Sequence, residues 1–314
     1  MLAVKLITSQ GVDVTALYVK TGFGSTKDIT KELEKRAKMA GADFLVADVR
    51  EEYIQNILFD PVYGYGKNFN PCIDCHGYMF KIAKAMMRDL NASFLVTGEV
   101  VGQRPMSQRA EALKQVSTLA GDKEDKLILR PLSAKLLEPT TPEIKGWVDR
   151  EKLLGISGRS RETQLKLAKE YGWDDYESPA GGCLLTDPAF SQKLREFIEY
   201  EEFGVEDIEL LKFGRHFRLP DGAKLVVGRH KEDNEALKEL KNPDYIPIKV
   251  PVAGPYSLIS KSASSIDKNL AAQIAITYAK SNLGELYDVR VGDEVITTTP
   301  LKSKKEAQKY FILK

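Results

Sequence analysis

Three cysteines are the residues of this sequence whose type and spacing most directly suggest chemistry. Cys72 and Cys75 form a C-x-x-C pair directly after Pro71, where a helix is predicted to begin. Proline is favoured in the first turn of a helix, and the free N–H groups of that turn favour a thiolate over a thiol. Cys183 ends a glycine-containing tight loop predicted at 178–183, which allows close approach of the backbone to a partner. We therefore expect these thiols to be reactive or ligating.

Several kinds of cysteine site remain open from the residues alone. The segment reads C-x-x-C-H, the attachment pattern of c-type haem, but haem attachment requires export and no signal peptide is seen. A structural zinc site needs four ligands, and His76 follows Cys75 directly, so the two side chains diverge on a helix. A thiol–disulfide pair and buried, inert cysteines are the next two alternatives. Three thiolates would also hold a [4Fe–4S] cluster with one iron left open.

Composition limits the class of protein. The chain has 314 residues, 43% of them hydrophobic, and a formal net charge of +1. This length supports two domains, and the balanced charge indicates neither a disordered chain nor a polyanion-binding tail. Three cysteines are an odd number, which argues against a disulfide framework. Without a signal peptide or an apolar run of about 20 residues, we expect a cytoplasmic protein.

The elements that must position the cysteines alternate between strands and helices up to about residue 132. Strands are predicted at 12–19, 43–49, 92–99 and 126–132, and helices at 28–41, 71–91 and 107–121. Apolar strands separated by helices predict an α/β fold with a doubly wound parallel sheet. The first domain is predicted to span 1–186, with a mostly helical segment after residue 131, and a smaller α+β domain follows at 187–314.

The start of the sequence does not fit this fold. The first residues, MLAVKLI, read as a helix, with no strand and no glycine-rich loop before it. In a doubly wound nucleotide-binding fold the first strand is central and its loop holds the phosphates. We therefore expect that the sheet lacks its first strand and that Met1 is an internal methionine, with natural loss of the strand as the alternative.

Two segments carry a family resemblance. Residues 70–76, N-P-C-I-D-C-H, resemble the N-P-x-x-x-C-N segment of the 2-thiouridine tRNA synthetases. Residues 97–108, with T-G-E-V-V-G-Q and a following S-Q, resemble the T-G-E-x-x-G-Q-x-x-S-Q motif of the 4-thiouridine tRNA sulfurtransferases. Both are PP-loop ATPase-type enzymes, and the resemblance covers residues 1 to about 188.

The resemblance implies a site, cofactors and a reaction. It implies that ATP, with Mg²⁺, adenylates a uridine carbonyl and that sulfur then displaces AMP. Cys75 matches the conserved first cysteine of these enzymes and Cys183 a distant second one, which makes both catalytic. Cys72 occupies a position that is cysteine only in a subgroup with a three-cysteine [4Fe–4S] cluster, so the resemblance implies catalytic and metal-binding roles for all three. The S-G-G-x-D-S pyrophosphate loop of the family would stand directly before Met1 and is absent from the sequence.

The second motif predicts the nucleotide contacts. It falls where a strand ends and a helix follows, the edge at which open α/β sheets bind ligands. An ordinary strand–loop–helix connection is the alternative that the residues alone leave open. The predicted nucleotide-binding residues are Gly98, Glu99, Gly102, Gln103, Ser107 and Gln108.

A basic hairpin predicts contact with RNA. Two strands are predicted around the turn Pro220-Asp221-Gly222, with aromatic and histidine side chains between basic ones. The predicted RNA-binding residues are Lys212, Arg215, Arg218, Lys224, Arg229 and Lys231. The sequence F-G-R-H-F-R-L-P-D-G-x-K-L-V-V-G-R is similar to the RNA-binding domain of the NFACT proteins. A hairpin with core phenylalanines and solvated charges is the alternative.

Together these features predict an ATP-dependent tRNA-uridine sulfurtransferase, with tRNA and a sulfur donor, either a protein persulfide or sulfide, as partners. One alternative is a non-catalytic RNA-binding protein built on a PP-loop domain that has lost its ATP loop. Another is a PP-loop enzyme acting on a small molecule, which the basic hairpin disfavours.

Overall fold

A computed structural model describes residues 1–176 and 182–313. The chain divides into two compact units, Met1–Thr186 and Asp187–Lys314, called unit 1 and unit 2 below. Residues 178–181 of the predicted loop before Cys183 lie outside the described residues.

Unit 1 contains short to medium helices, most of them between strands. The α-helices are α1 (Leu2–Thr8), α2 (Thr30–Met39), α3 (Arg50–Tyr53), α4 (Cys72–Met86), α5 (Ala110–Leu119), α6 (Thr141–Ile144) and α7 (Glu162–Glu170). The helix predicted at 71–91 therefore ends early, and a turn with Asn91 at φ +50° follows it. The helix predicted in the first residues is confirmed as α1.

The strands of unit 1 form two parallel pairs. β1 (Thr15–Lys20) pairs with β2 (Asp43–Asp48), and β3 (Leu95–Val96) pairs with β4 (Ile128–Leu129). β3 and β4 are shorter than predicted, at two residues each. Within the described residues no strand joins the two pairs, so the single doubly wound sheet stays a prediction.

The packing of α4 on α5 fixes the helix that carries the first two cysteines. Gly77 of α4 faces Leu119 of α5 so closely that a Cβ atom at residue 77 would lie 2.5 Å from the Leu119 Cβ. Ile73 of α4 is buried against Val116 of α5 in the same cluster. A larger side chain at residue 77 would push the helices apart, so this glycine is a packing requirement.

Unit 2 is an α+β structure built on one antiparallel sheet. Its strands are β5 (Arg215–Arg218), β6 (Lys224–Val227), β7 (Tyr245–Lys249), β8 (Ser257–Ser260), β9 (Tyr287–Val291) and β10 (Glu294–Thr298), in the spatial order β10-β9-β7-β8-β6-β5. Its helices are α8 (Pro188–Ile198), α9 (Val205–Lys212), α10 (Lys231–Glu239), α11 (Ser265–Thr277) and α12 (Lys304–Gln308). The predicted hairpin is confirmed as β5–β6, whose residues pair from Arg215–Val227 to Arg218–Lys224.

The core of unit 2 lies between this sheet and α11. Fully buried apolar residues of α11, such as Ile274 and Ala275, share one cluster with Phe217, Leu225 and Ile259 of the sheet. Apolar residues on the inward face of each strand and on one side of the helix produce this layer. Among the residues that the structure describes, no helix combines the length and the apolar character that a membrane span requires.

Candidate functional site

The three cysteines lie at the start of α4 and in the segment directly before unit 2. All three are free thiols and partly buried. The helix start is formed by the Cys75 N–H, which donates to the Pro71 carbonyl at 2.8 Å. The Asn70 amide of the same motif donates to the Cys72 sulfur at 3.1 Å. The N-P-C-I-D-C segment thus holds two thiols rigidly at one helix end.

The three thiols are close enough to oppose one another's ionisation. Burial raises the pKa of Cys75 to about 12, against a hydrogen bond from Tyr53, and the charges of Cys183 and Cys72 raise it further. Burial likewise raises the pKa of Cys183, and Cys72 adds to the increase. The Leu184 N–H, directly after Cys183, donates to the Phe23 carbonyl at 2.8 Å, and the Phe23 ring packs on Tyr53, which contacts Cys75. The structure therefore places the three cysteines in one region, although Cys183 is far away in the sequence.

Burial outweighs the expected effect of the helix start on Cys75. The free N–H groups of a helix N-terminus favour a thiolate, which was the basis for expecting a lowered pKa. Removing the sulfur from water disfavours the charged form, and two neighbouring thiols add to that cost. In this state Cys75 is a protonated thiol at neutral pH.

A tyrosine that sequence reasoning missed completes the cysteine site. Tyr53 is only 1% exposed, at the end of α3, and its side chain is hydrogen-bonded to Cys75. Phe23 and Tyr78 pack on its ring, with centroids 5.9 and 6.2 Å away. No motif marks Tyr53, because its contact depends on tertiary packing alone.

The cysteine site has the donor type of an iron–sulfur cluster, because cluster irons are bound by cysteine thiolates. Within the described residues, no group of three or more His, Cys, Asp or Glu side chains is arranged to hold one ion. In a [4Fe–4S] cluster each thiolate binds a different iron, so the sulfurs surround a volume and need not meet at one point. Asp74, between the two helix cysteines, is unavailable as a ligand because its carboxylate accepts the Val62 and Tyr63 N–H groups.

The predicted nucleotide motif divides into accessible and buried residues. Gly98 and Gln103 line a cavity of about 430 Å³ in unit 1. Gly102 has a φ of +74°, and its N–H donates to the Gln108 carbonyl at 2.7 Å, which closes the motif into a tight turn. Glu99, Ser107 and Gln108 are buried, at 3%, 1% and 5% exposure.

Glu99 is occupied by other side chains of unit 1. One of its carboxylate oxygens lies 2.7 Å from the His76 Nδ1, and the other accepts from the Arg130 Nε at 2.9 Å. These contacts keep the pKa of Glu99 low, although burial opposes them. His76, beside Cys75, is therefore anchored by Glu99, and a direct nucleotide contact by Glu99 would require breaking this buried network.

The cavity contains polar groups without partners. The Gln103 Nε2 and the Gln164 Oε1 are buried and make no hydrogen bond in the described residues, and both residues line the cavity. Trp173 and Tyr176 add aromatic rings to the lining. Burial and the nearby Arg104 lower the pKa of Arg161, another lining residue. A donor, an acceptor and aromatic rings are the groups that bind a planar heterocycle.

The predicted RNA-binding residues of unit 2 are largely occupied by ion pairs. Lys224 has no exposed surface, and its Nζ lies 2.7 Å from the Glu196 carboxylate. Arg218 contacts the same Glu196 at 2.5 Å and Glu201 at 2.7 Å. Lys224 has no exposed surface at which a phosphate could contact it, so the structure gives no support to its predicted RNA contact.

The other members of the set differ in exposure. The Lys212 side chain is 6% exposed and pairs with Glu209 at 2.6 Å, while Arg229 pairs with Asp233 at 2.7 Å. Lys231 is exposed, with Glu235 at 3.7 Å. Arg215 alone in this set lacks a carboxylate partner within the described part of the chain, and its guanidinium lies 5.0 Å from the centre of the Tyr278 ring.

Comparisons with known proteins support an RNA-binding domain. The family model of the NFACT protein RNA binding domain matches residues 214–311, which cover most of unit 2. Among solved structures, the C-terminal part of the fibronectin/fibrinogen-binding protein from Streptococcus suis is similar over 76% of this chain and 89% of that chain, with 13% identity and a TM-score of 0.28. A search of curated proteins finds no match. Interaction with RNA is thus supported for unit 2, and the sulfurtransferase resemblance of unit 1 stays a prediction.

Proposed function

We propose that this chain is an ATP-dependent sulfurtransferase that thiolates a uridine of tRNA. The observation that carries the proposal is the placement of Cys72, Cys75 and Cys183 in one region of unit 1, where Tyr53 contacts Cys75 and packs on Phe23, whose carbonyl accepts from the N–H of Leu184 beside Cys183. Transfer of sulfur to RNA is a reaction in which all three thiols have a role. The RNA-binding domain of unit 2 supplies the second element, because it supports RNA as the substrate.

The reaction needs activation of the uridine before sulfur can enter. The carbonyl oxygen attacks the α-phosphorus of ATP and releases pyrophosphate, which converts that oxygen into part of an AMP leaving group. A sulfur nucleophile then attacks the same carbon, the C–S bond forms, and the C–O bond breaks as AMP departs. With sulfide as donor no electrons are exchanged. With a persulfide on Cys75 or Cys183, its outer sulfur attacks the uridine carbon. The other cysteine thiol then attacks the S–S bond, which releases the thiouridine and leaves a disulfide that an external thiol must reduce.

The cysteine site supplies the sulfur step. Cys72, Cys75 and Cys183 would hold a [4Fe–4S] cluster, and such a cluster supplies an open iron that can bind sulfide. The Tyr53 hydroxyl positions Cys75, and the Asn70 amide positions Cys72. Both hydrogen bonds restrict the orientation of the sulfur atoms, and preorganisation of this kind lowers the cost of reaching the reactive geometry.

The cavity of unit 1 is the proposed site for the adenosine part of the nucleotide. The Gln103 amide can donate to a ring nitrogen, and the Gln164 carbonyl can accept from an exocyclic amine. Gly98 leaves the cavity open at the end of β3, since it carries no side chain. Glu99 acts indirectly in this proposal, by anchoring His76 and Arg130.

The test is a thiolation assay with the full chain under anaerobic conditions. Unmodified tRNA, sulfide and ATP should give a thiouridine detectable by mass spectrometry of the digested RNA, and omission of ATP should abolish it. Gln103→Leu should raise the ATP concentration needed, with Gln10→Leu as a control, because the buried Gln10 Nε2 is also unpartnered but Gln10 does not line the cavity. Binding of tRNA without any thiouridine in either arm would instead favour a non-catalytic RNA-binding protein.

A further inference from the structure

Arg215 differs from the other basic residues of the β5–β6 hairpin in how its charge is used. One of its guanidinium N–H groups donates to the Gly228 carbonyl at 3.1 Å, which holds the side chain in place. Arginine has five N–H donors, and a carbonyl leaves the positive charge in place. Within the described residues, no carboxylate pairs with Arg215.

A second unpaired cation lies at the same aromatic ring. Lys304, the first residue of α12, is exposed, and its Nζ lies 5.3 Å from the centre of the Tyr278 ring, compared with 5.0 Å for the Arg215 guanidinium. The two charges are therefore at most about 10 Å apart, which is about the Debye length at 0.1 M salt, so both act on one anion. No carboxylate pairs with Lys304 in the portion of unit 2 that the structure covers.

The ring between the two cations is fixed by the core. Tyr278 follows α11, and its ring lies 6.1 Å from that of Phe217, which is fully buried. Arg215 belongs to strand β5 and Lys304 to helix α12, so positively charged groups from two separate elements lie at one ring. Placing like charges together without a neutralising acid costs free energy, and a bound anion removes that cost.

The surrounding chain adds positive charge. Lys280 is exposed two residues after Tyr278, and residues 302–309 contain four lysines and one glutamate. This excess contrasts with the ion-paired residues Arg218 and Lys224 of the same sheet. A polyanion with regularly spaced charges fits such a surface better than a single small anion.

We propose that Arg215, Tyr278 and Lys304, called the Tyr278 site, bind backbone phosphate of RNA. The proposal rests on the proposed function, because the RNA is taken to be the substrate tRNA. Arg215 and Lys304 contact phosphate, and the Tyr278 ring sets their spacing through cation–π contacts. Of the hairpin cations, Arg215 is thus the one that contacts RNA, and Lys304 of α12 provides the second contact.

The test measures tRNA affinity of the full chain between 50 and 200 mM salt. The double variant Arg215→Gln/Lys304→Gln should weaken binding by about tenfold or more and reduce the slope of log K against log salt by roughly 1.4–1.8, since each lost phosphate contact removes about 0.7–0.9. Tyr278→Phe keeps the ring and should bind within about twofold of wild type, whereas Tyr278→Ala should weaken binding severalfold. Lys231→Gln is the matched control, because Lys231 is an exposed cation at the start of α10 with Glu235 beside it, and it should change affinity less than about twofold.

The outcomes separate the site from the function. If wild type binds tRNA with a normal salt dependence and the double variant keeps the same slope, the Tyr278 site is wrong and RNA binding lies elsewhere. An equal loss in Lys231→Gln would also overturn the site, because binding would then follow overall charge. If wild type binds no tRNA at all, the proposed function itself fails. Should Arg215→Gln fold poorly, Lys304→Gln alone is expected to show half of the slope change.

Discussion

The cysteines of unit 1 and the basic hairpin of unit 2 were both selected from the sequence by residue type, but their side chains have different partners in the folded structure. The three thiols come together with no disulfide among them. Most of the cations, in contrast, are taken up by carboxylates, chiefly Glu196 and Asp233.

This difference follows from the number of partners available to each residue type. The chain has 45 acidic residues, so a cation has many possible partners, and Glu196 reaches both Arg218 and Lys224 from α8. Cysteine thiols have few strong partners in a protein without disulfides. A cluster of basic residues in the sequence therefore overestimates the free positive charge of a surface, whereas a small set of cysteines is a safer indicator of a site.

The largest predicted effect concerns the ion pairs of the hairpin. Glu196→Gln removes the carboxylate that neutralises Lys224, a residue with no exposed surface, and leaves Arg218 with Glu201 alone. Loss of one partner of a buried ion pair should lower the free energy of unfolding by about 3 kcal/mol. Urea denaturation at pH 7 measures it, with Glu235→Gln as the control, because its exposed pair with Lys231 should contribute less than about 0.5 kcal/mol. Equal effects of the two variants would mean that the hairpin cations are available at the surface after all.

The next effect is a loss of stability at mildly acidic pH caused by His216. This histidine is fully buried in β5, and burial together with the nearby Lys193 and Lys224 holds its pKa well below 6.5. Below about pH 6.5 the unfolded histidine is protonated while the folded one stays neutral, so the unfolded state binds more protons and stability falls with decreasing pH. The slope should reach about 1.4 kcal/mol per pH unit.

The pH effect is measured by comparing urea denaturation at pH 7 and pH 5 in wild type and in variants. His216→Gln should lose this part of the pH dependence, and the exposed His230→Gln should retain it. If His216→Gln keeps the full wild-type slope, the acid sensitivity belongs to other groups.

The smallest predicted effect is at the cysteine site. Tyr53→Phe removes the hydroxyl that is bonded to Cys75 and keeps the buried ring, so the fold should be unchanged. Loss of one hydrogen bond should slow thiouridine formation roughly 2- to 10-fold. Tyr78→Phe is the control, since Tyr78 packs against the Tyr53 ring and has no cysteine contact among its described interactions. A similar change in both variants would show that Tyr53 contributes packing alone and that its hydroxyl has no role at Cys75.

Much of unit 2 could be predicted because its signals are local. The turn Pro220-Asp221-Gly222 predicted the hairpin that the structure contains as β5 and β6. The pairing of Arg218 and Lys224 with Glu196 could not be predicted, because it depends on α8 packing against the sheet. Helix α9 (Val205–Lys212) was also missed, since it is short and follows an acidic segment.

In unit 1 the residue types of the motifs identified candidate site residues, but the sequence did not reveal the surroundings of each side chain. Cys72, Cys75 and Gln103 were selected by motif, and the structure places them at the thiol site and at the cavity. The burial that raises the pKa of Cys75 and the partners of Glu99 arise from tertiary contacts with Tyr53, His76 and Arg130, which no local pattern reveals. A motif therefore identifies candidate residues, and packing decides which of them a ligand can reach.

The central claim is that Cys72, Cys75 and Cys183 act as one sulfur-handling site, and replacement of Cys72 tests it most directly. We predict that anaerobically purified protein carries about four iron and four sulfide per chain. Cys72→Ser, Cys75→Ser and Cys183→Ser should each lose both the cluster and thiouridine formation. Iron-free wild-type protein, together with a Cys72→Ser variant that still thiolates tRNA, would contradict the claim and leave a persulfide pair of Cys75 and Cys183.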